Sequence, residues 1–119
     1  MQTEVAPETD NALYEARAEI FRALAHPARL RLMEALAERE LCVCELQKLV
    51  GSSLPTVSRH LAQMKSAGIL GCRREGTQIF YCLLVPCLLP ALGCIDGVIR
   101  ADSERRVSCC AGLTERSTS

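Results

Sequence analysis

Two helix-like segments held apart by a three-residue turn constrain this chain more than any other feature. In 43–50, VCELQKLV, the side chains Leu46, Leu49 and Val50 share one face. Gly51-Ser52-Ser53 interrupts the pattern; Ser53 suits a helix N-cap, and Pro55 is tolerated in a first helical turn. The second segment, 54–67, has two faces. Leu54, Val57, Leu61 and Met64 make an inner apolar stripe; Thr56, Arg59, His60 and Gln63 make an outer polar one. Gly68 suits the residue just past its end. Helix, tight turn, helix is the outline of a helix-turn-helix.

The flanks extend that outline. A helix is expected over 11–25, with Leu13, Ile20, Phe21 and Leu24 on one face. Pro27 is placed to start a second, lined by Leu30, Met33, Leu36 and Ala37. Beyond the paired helices, 69–74 and 78–83 read as two strands joined through Glu75-Gly76-Thr77. A last helix begins after Pro86 or Pro90 and runs to about 102; Leu88, Leu92, Ile95 and Ile99 form a seam suited to pairing with another helix. The expected fold is therefore mainly α with a β-hairpin wing: a winged helix-turn-helix, homodimeric through its terminal seam. Residues 1–10 form a flexible acidic tail, 11–102 the DNA-binding and dimerisation domain, and 103–119 a polar, cysteine-containing tail. Few aromatics (two Tyr, two Phe, no Trp) agree with a mainly helical core.

Net charge is zero, but it is unevenly spread. Residues 1–47 carry nine acidic and five basic side chains, whereas 48–82 carry five basic (Lys48, Arg59, Lys65, Arg73, Arg74) and one acidic, Glu75. A local excess of that kind suits phosphate, although a solvated basic face would look the same. The side chains on the second helix sharpen the choice. Arg59 can pair with guanine and Gln63 with adenine, while Thr56, Ser58 and His60 reach base or phosphate. Arg73 and Arg74 on the hairpin can hold phosphate beside the groove. Double-stranded DNA is thus the expected partner.

Eight cysteines are many for 119 residues. The opening MQTEVAPETD lacks the apolar stretch of a signal peptide, so a cytoplasmic location is expected, with reduced thiols serving metal or redox chemistry. The uncharged run 79–95 is broken by Pro86, Pro90 and Gly93 and falls short of the about 20 residues that a membrane span needs. Cys42 and Cys44 are the sharpest chemical signal. Two thiols two residues apart diverge on a regular helix but can converge at a helix start, where thiolate is also favoured. Two small buried hydrophobes would give the same pattern. Cys82, Cys87 and Cys94, in apolar stretches, read as core, and Cys72, in the first wing strand, as structural; Cys109-Cys110, in a polar tail, has no packing role to explain it.

The segments ALAHPARLRLMEAL, ELCVCEL, LPTVSRHLAQMKSAGIL and RREGTQIFYCL, spanning about 21–83, resemble the ArsR/SmtB family of metal-sensing repressors, within it the arsenic-responsive branch. The resemblance implies a homodimer that binds operator DNA and dissociates when trivalent arsenic (arsenite or methylarsenite), or the similar trivalent species antimonite, is captured by thiolates. It assigns capture to Cys42 and Cys44 and DNA reading to Ser58, Arg59 and His60. It implies no required cofactor, with arsenic as inducer only. The branch has a further cysteine three residues after the second of the pair, where this chain has Gln47. Cys109, Cys110 or a small cellular thiol is then left to supply a third sulfur; a methylated arsenical needs two.

Two kinds of rival remain at this stage. A thiol-redox or persulfide sensor, or a cadmium, lead or zinc sensor, would keep the fold and change the signal. A cysteine-rich sequestering protein would bind several ions and no DNA. No Ser/His/Asp constellation, phosphate loop or thioredoxin-like pattern is present, so an enzyme is not expected.

Overall fold

The computed structural model describes residues 7–108, with side chains from 10 to 104. The element order is α1 (Pro7–Leu24), α2 (Pro27–Leu36), β1 (Leu41–Cys42), α3 (Val43–Val50), α4 (Leu54–Ser66), β2 (Leu70–Glu75), β3 (Gln78–Leu83), a 3-10 turn (Pro86–Leu88) and α5 (Leu89–Ser108). The chain divides into two units at Pro86/Cys87. That division falls inside the 11–102 region expected as one domain, and helix occupies residues 7–10 and 103–108, which were expected to be tails.

Each helix of the first unit begins and ends for a local reason. His26 caps α2: its Nδ1 accepts from the Ala28 N–H at 3.1 Å, and Pro27 follows where a missing N–H costs nothing. Cys42 caps α3 in an extended conformation, and Glu45 reaches back to accept from the Cys42 N–H at 3.0 Å. Gly51, at φ 78°, closes α3 with its N–H on the Gln47 carbonyl. Ser53 caps α4, its Oγ accepting from the Thr56 N–H at 3.4 Å. At the far end of α4 the Ile69 N–H reaches Met64 O and the Gly68 N–H reaches Lys65 O, with Gly68 at φ 86°. This is a Schellman closure, and it needs a left-handed residue at position 68. Gly68→Ala is expected to cost about 1–2 kcal/mol, and Gly68→Asn less, since asparagine tolerates that conformation; urea unfolding of the two variants checks the order.

The sheet runs β1-β3-β2, antiparallel throughout. Leu41 pairs with Tyr81 and Cys42 with Phe80, while β2 pairs with β3 from Leu70↔Leu83 to Glu75↔Gln78 around a turn with Gly76 at φ 65°. β1 is absent from the expected elements because two residues carry no readable alternation. It matters for function, because it ties the start of α3 to the wing.

The core of this unit is aliphatic. Leu32, Met33, Leu46, Val57, Leu61 and Met64 are fully buried, and Ile69 and Leu70, where the chain enters β2, complete it. α2 packs on α3, α4 and β3, and α3 packs on α4. On α4 the buried positions are Val57, His60, Leu61 and Met64. The inward stripe therefore includes His60 and leaves Leu54 47% exposed, where the sequence pattern had placed Leu54 inward and His60 outward. Positions 57, 60, 61 and 64 are an unbroken i, i+3, i+4, i+7 set, and helix geometry takes the polar member along with the apolar ones.

Two helices keep apolar surface uncovered in the single chain. Leu13, Tyr14 and Phe21 are exposed on α1, and of the face expected to bury Leu13 and Phe21 it is Ile20 and Leu24, with Ala18 and Ala23 beside them, that turn inward. On α5, Ile95, Val98 and Ile99 are exposed, and so are Cys87 and Cys94, which had read as core. No described helix is long and apolar enough to cross a membrane.

Candidate DNA-reading helix and thiol pair

α4 presents Ser58 and Arg59 to solvent, with no salt bridge to Arg59 among the described residues. Thr56 is half-buried, and its Oγ1 accepts from the Ser53 hydroxyl at 2.9 Å, so it helps to cap the helix. Gln63 is exposed along its stem, but its Oε1 accepts from Arg29 Nη2. His60 departs furthest from expectation: it is 5% exposed, its Nδ1 accepts from Arg29 Nε at 3.0 Å, and its ring lies 4.3 Å from that of His26. It is thus part of the support behind the helix rather than of its outer face.

Burial, reinforced by the charges of His26, Arg29 and Arg59, holds His60 below the ordinary histidine range. The unfolded chain then binds that proton more readily than the folded one, so stability falls as pH drops through about 6.5 towards the folded value. Thermal unfolding midpoints measured from about pH 7.5 to about 5.5 should decline, and His60→Gln should flatten that decline. Glu45 is also held low, chiefly by the Cys42 N–H, and its contribution is lost as pH falls from the ordinary carboxylate range towards the lower folded value, beneath this window.

The two wing arginines, both exposed, differ in their partners. Arg73 donates to Glu40 Oε1 at 2.9 Å and to Glu75 Oε1 at 2.8 Å, and its guanidinium lies 4.9 Å from the Phe80 ring centroid. Two carboxylates offset its charge, and they link Glu40, just before β1, to the hairpin. Arg74 is exposed, without a salt bridge among the described residues. The sequence had Glu40 in view, but the pairing only follows once β1 lies beside β3.

Cys42 and Cys44 sit at the junction of β1 and α3, as the helix-start reading requires. Cys42, in extended conformation, is 7% exposed; Cys44, in the first turn, is exposed. One sulfur is therefore held inside and the other outside. Among the described residues no group of three His, Cys, Asp or Glu side chains stands close enough to hold a metal ion. The donors of the pair are two thiols, which suit a soft, thiophilic ion, and the Glu45 carboxylate beside Cys42 is engaged with its N–H. Cys109 and Cys110 lie outside the described residues. Sequence reasoning passed over Glu45 and Arg29. Glu45 stood in plain sight as the fourth member of a capping-box pattern with cysteine in the serine position.

A helix-turn-helix with its second helix presented outward and a three-stranded wing beside it defines a winged helix-turn-helix DNA-binding regulator. Residues 26–70 match the model of the bacterial regulatory proteins of the arsR family. The chain is 43% identical to the arsenic resistance transcriptional regulator ArsR1 of Pseudomonas putida, over 71% of this chain and 67% of that one. It belongs to the arsR family. With the HTH-type transcriptional regulator KmtR of Mycobacterium tuberculosis it shares 46% identity over 53% of its own length, spanning about half (48%) of that relative. The homodimeric winged helix-turn-helix DNA-binding domain of Mb0332 from Mycobacterium bovis superposes with a TM-score of 0.71 at 27% identity, covering 87% of this chain and 95% of that one.

Proposed function

We propose that this chain is a homodimeric transcriptional repressor, not an enzyme, which works in the cytoplasm and leaves its operator when trivalent arsenic is captured by Cys42 and Cys44. The observation that carries the reading is the position of Cys42: it caps the helix that packs directly on the DNA-reading helix. The likeness to an arsenic resistance regulator supports the choice of inducer. The uncovered apolar faces of α1 and α5 support a second copy as partner, in keeping with the homodimeric relative from M. bovis.

Release follows from where the two sulfurs rest. Bringing both onto one atom draws Cys42 from its buried place at the end of β1 and takes the N–H away from Glu45. The first turn of α3 then loosens, and α4, packed against it, loses its register on DNA. Only a difference in inducer affinity between the two arrangements can drive that change. Two thiolates satisfy a methylated arsenical; inorganic arsenite takes its third sulfur from Cys109, Cys110 or a small cellular thiol. Alkylation of the reduced protein with and without arsenite, read by intact mass and peptide mapping, tests the assignment. Protection of Cys42 and Cys44 together is expected. Protection confined to Cys109-Cys110, or a mass loss of two hydrogens in place of arsenic uptake, would favour sequestration or thiol-redox sensing.

A further inference from the structure

We propose that Arg29 is a positioning residue for DNA reading, a fork that fixes the rotation of α4 against α1 and α2. The proposal rests on the reading of α4 as the DNA-facing helix. Arg29 lies in the first turn of α2, where the helix dipole disfavours a cation, and it is only 9% exposed. A buried arginine is ordinarily held by a carboxylate; no salt bridge to Arg29 exists among the described residues. All three of its nitrogens donate to neutral acceptors instead: Nε to His60 Nδ1 at 3.0 Å, Nη1 to Ala23 O at 3.3 Å, and Nη2 to Gln63 Oε1.

Those acceptors span three helices. Ala23 O belongs to the last turn of α1, where carbonyls lack intrahelical partners. His60 and Gln63 are about one turn apart on α4, next to the outward-facing Arg59 and Ala62. The guanidinium is planar and its donors diverge at fixed angles, so satisfying all three leaves α4 a single rotation; a flexible lysine imposes no such restraint. Accepting at Nδ1 also places the proton of neutral His60 on Nε2. A desolvated charge is a costly way to fill a core, and its return is a unique arrangement. Here that arrangement sets the direction of Ser58 and Arg59, and a base-edge hydrogen bond fails once the donor moves beyond about 3.2 Å. Arg29 itself touches no DNA.

The test compares the full chain on the duplex upstream of its own coding sequence and on a scrambled duplex of equal length, by fluorescence anisotropy at several salt concentrations. Arg29→Lys should lower affinity for the upstream duplex by about 10- to 100-fold, the worth of the lost bonds to a charged donor. Affinity for the scrambled duplex and the salt slope should not change. An equal loss on both duplexes would reduce Arg29 to general stability, and a salt slope shallower by about 1 would make it a phosphate contact; either overturns the proposal. A second pair of variants does not depend on Arg29→Lys folding. Gln63→Glu keeps an acceptor for Nη2 and should preserve the ratio of the two affinities, while Gln63→Ala should lower it. If Gln63 reads adenine directly, Gln63→Glu loses at least as much discrimination as Gln63→Ala, and the proposal fails. A wild-type chain with no preference for its upstream duplex would instead sink the DNA-reading assignment beneath it.

Discussion

A Cys42→Ser, Cys44→Ser double variant should bind operator DNA as the wild type does and keep hold of it when arsenite is added. Binding is retained because serine is a favoured N-cap, so the start of α3 is kept or improved when Cys42 is replaced. Glu45 accepts from the backbone N–H of residue 42, a contact indifferent to the side chain there. Release is lost because hydroxyls offer no thiolate to a soft metalloid. In the wild type, a coupling of about 3 kcal/mol, the upper part of the usual range, weakens DNA binding by about 150-fold. In the double variant the effect of arsenite on affinity should be within about twofold. Binding measured with and without arsenite, on matched protein preparations, gives both quantities. A variant that still releases would move the sensing site elsewhere, with Cys109-Cys110 next in line.

The second large effect belongs to Arg59. It is exposed in the middle of α4, whose other cation, Lys65, lies in the last turn, and it has no carboxylate to neutralise it among the described residues. A bidentate arginine–guanine pair is worth about 1–3 kcal/mol of discrimination, so Arg59→Ala should lower operator affinity by about 5- to 150-fold and relax the preference at one base pair. Arg73→Ala makes the contrast. Its charge is already offset by Glu40 and Glu75, so operator affinity should fall by less than about threefold, with the visible change in the stability of the β1–hairpin junction. Competition among duplexes altered one base pair at a time separates the two. If the losses are equal, the assignment of roles between helix and wing is wrong.

The parts legible in the sequence are those set by neighbours along the chain. α3 begins and ends where the pattern, Gly51 and Ser53 place it, and α4 runs one residue short of the expected end because the closure at Gly68 uses Ala67 as its cap. The wing strands lie within one residue of expectation at each end, their turn set by Gly76. What the pattern could not show is anything assembled from distant residues. His60 looked outward because its polarity resembles that of Arg59 and Gln63, yet its place on the helix is that of Val57 and Leu61. Its partner is Arg29, thirty-one residues away. Arg73 looked free because Glu40 lies thirty-three residues earlier, across a strand of only two residues. Cys87 and Cys94 looked buried because apolar neighbours in sequence were taken for apolar neighbours in space; on α5 those neighbours are themselves exposed in the single chain. The place of Cys42 and Cys44 at the start of α3 was legible for a different reason, since chain order alone sets it.

The central claim is that thiol capture at the start of α3 is coupled to DNA release, and one titration tests it most directly. Wild-type protein bound to its own upstream duplex, reduced and followed by fluorescence anisotropy, is titrated with arsenite, methylarsenite, cadmium and zinc. Release by the trivalent arsenicals at concentrations where zinc leaves the complex intact is the predicted result. Release by zinc with none by arsenic, or a complex that survives every one of them, would contradict it.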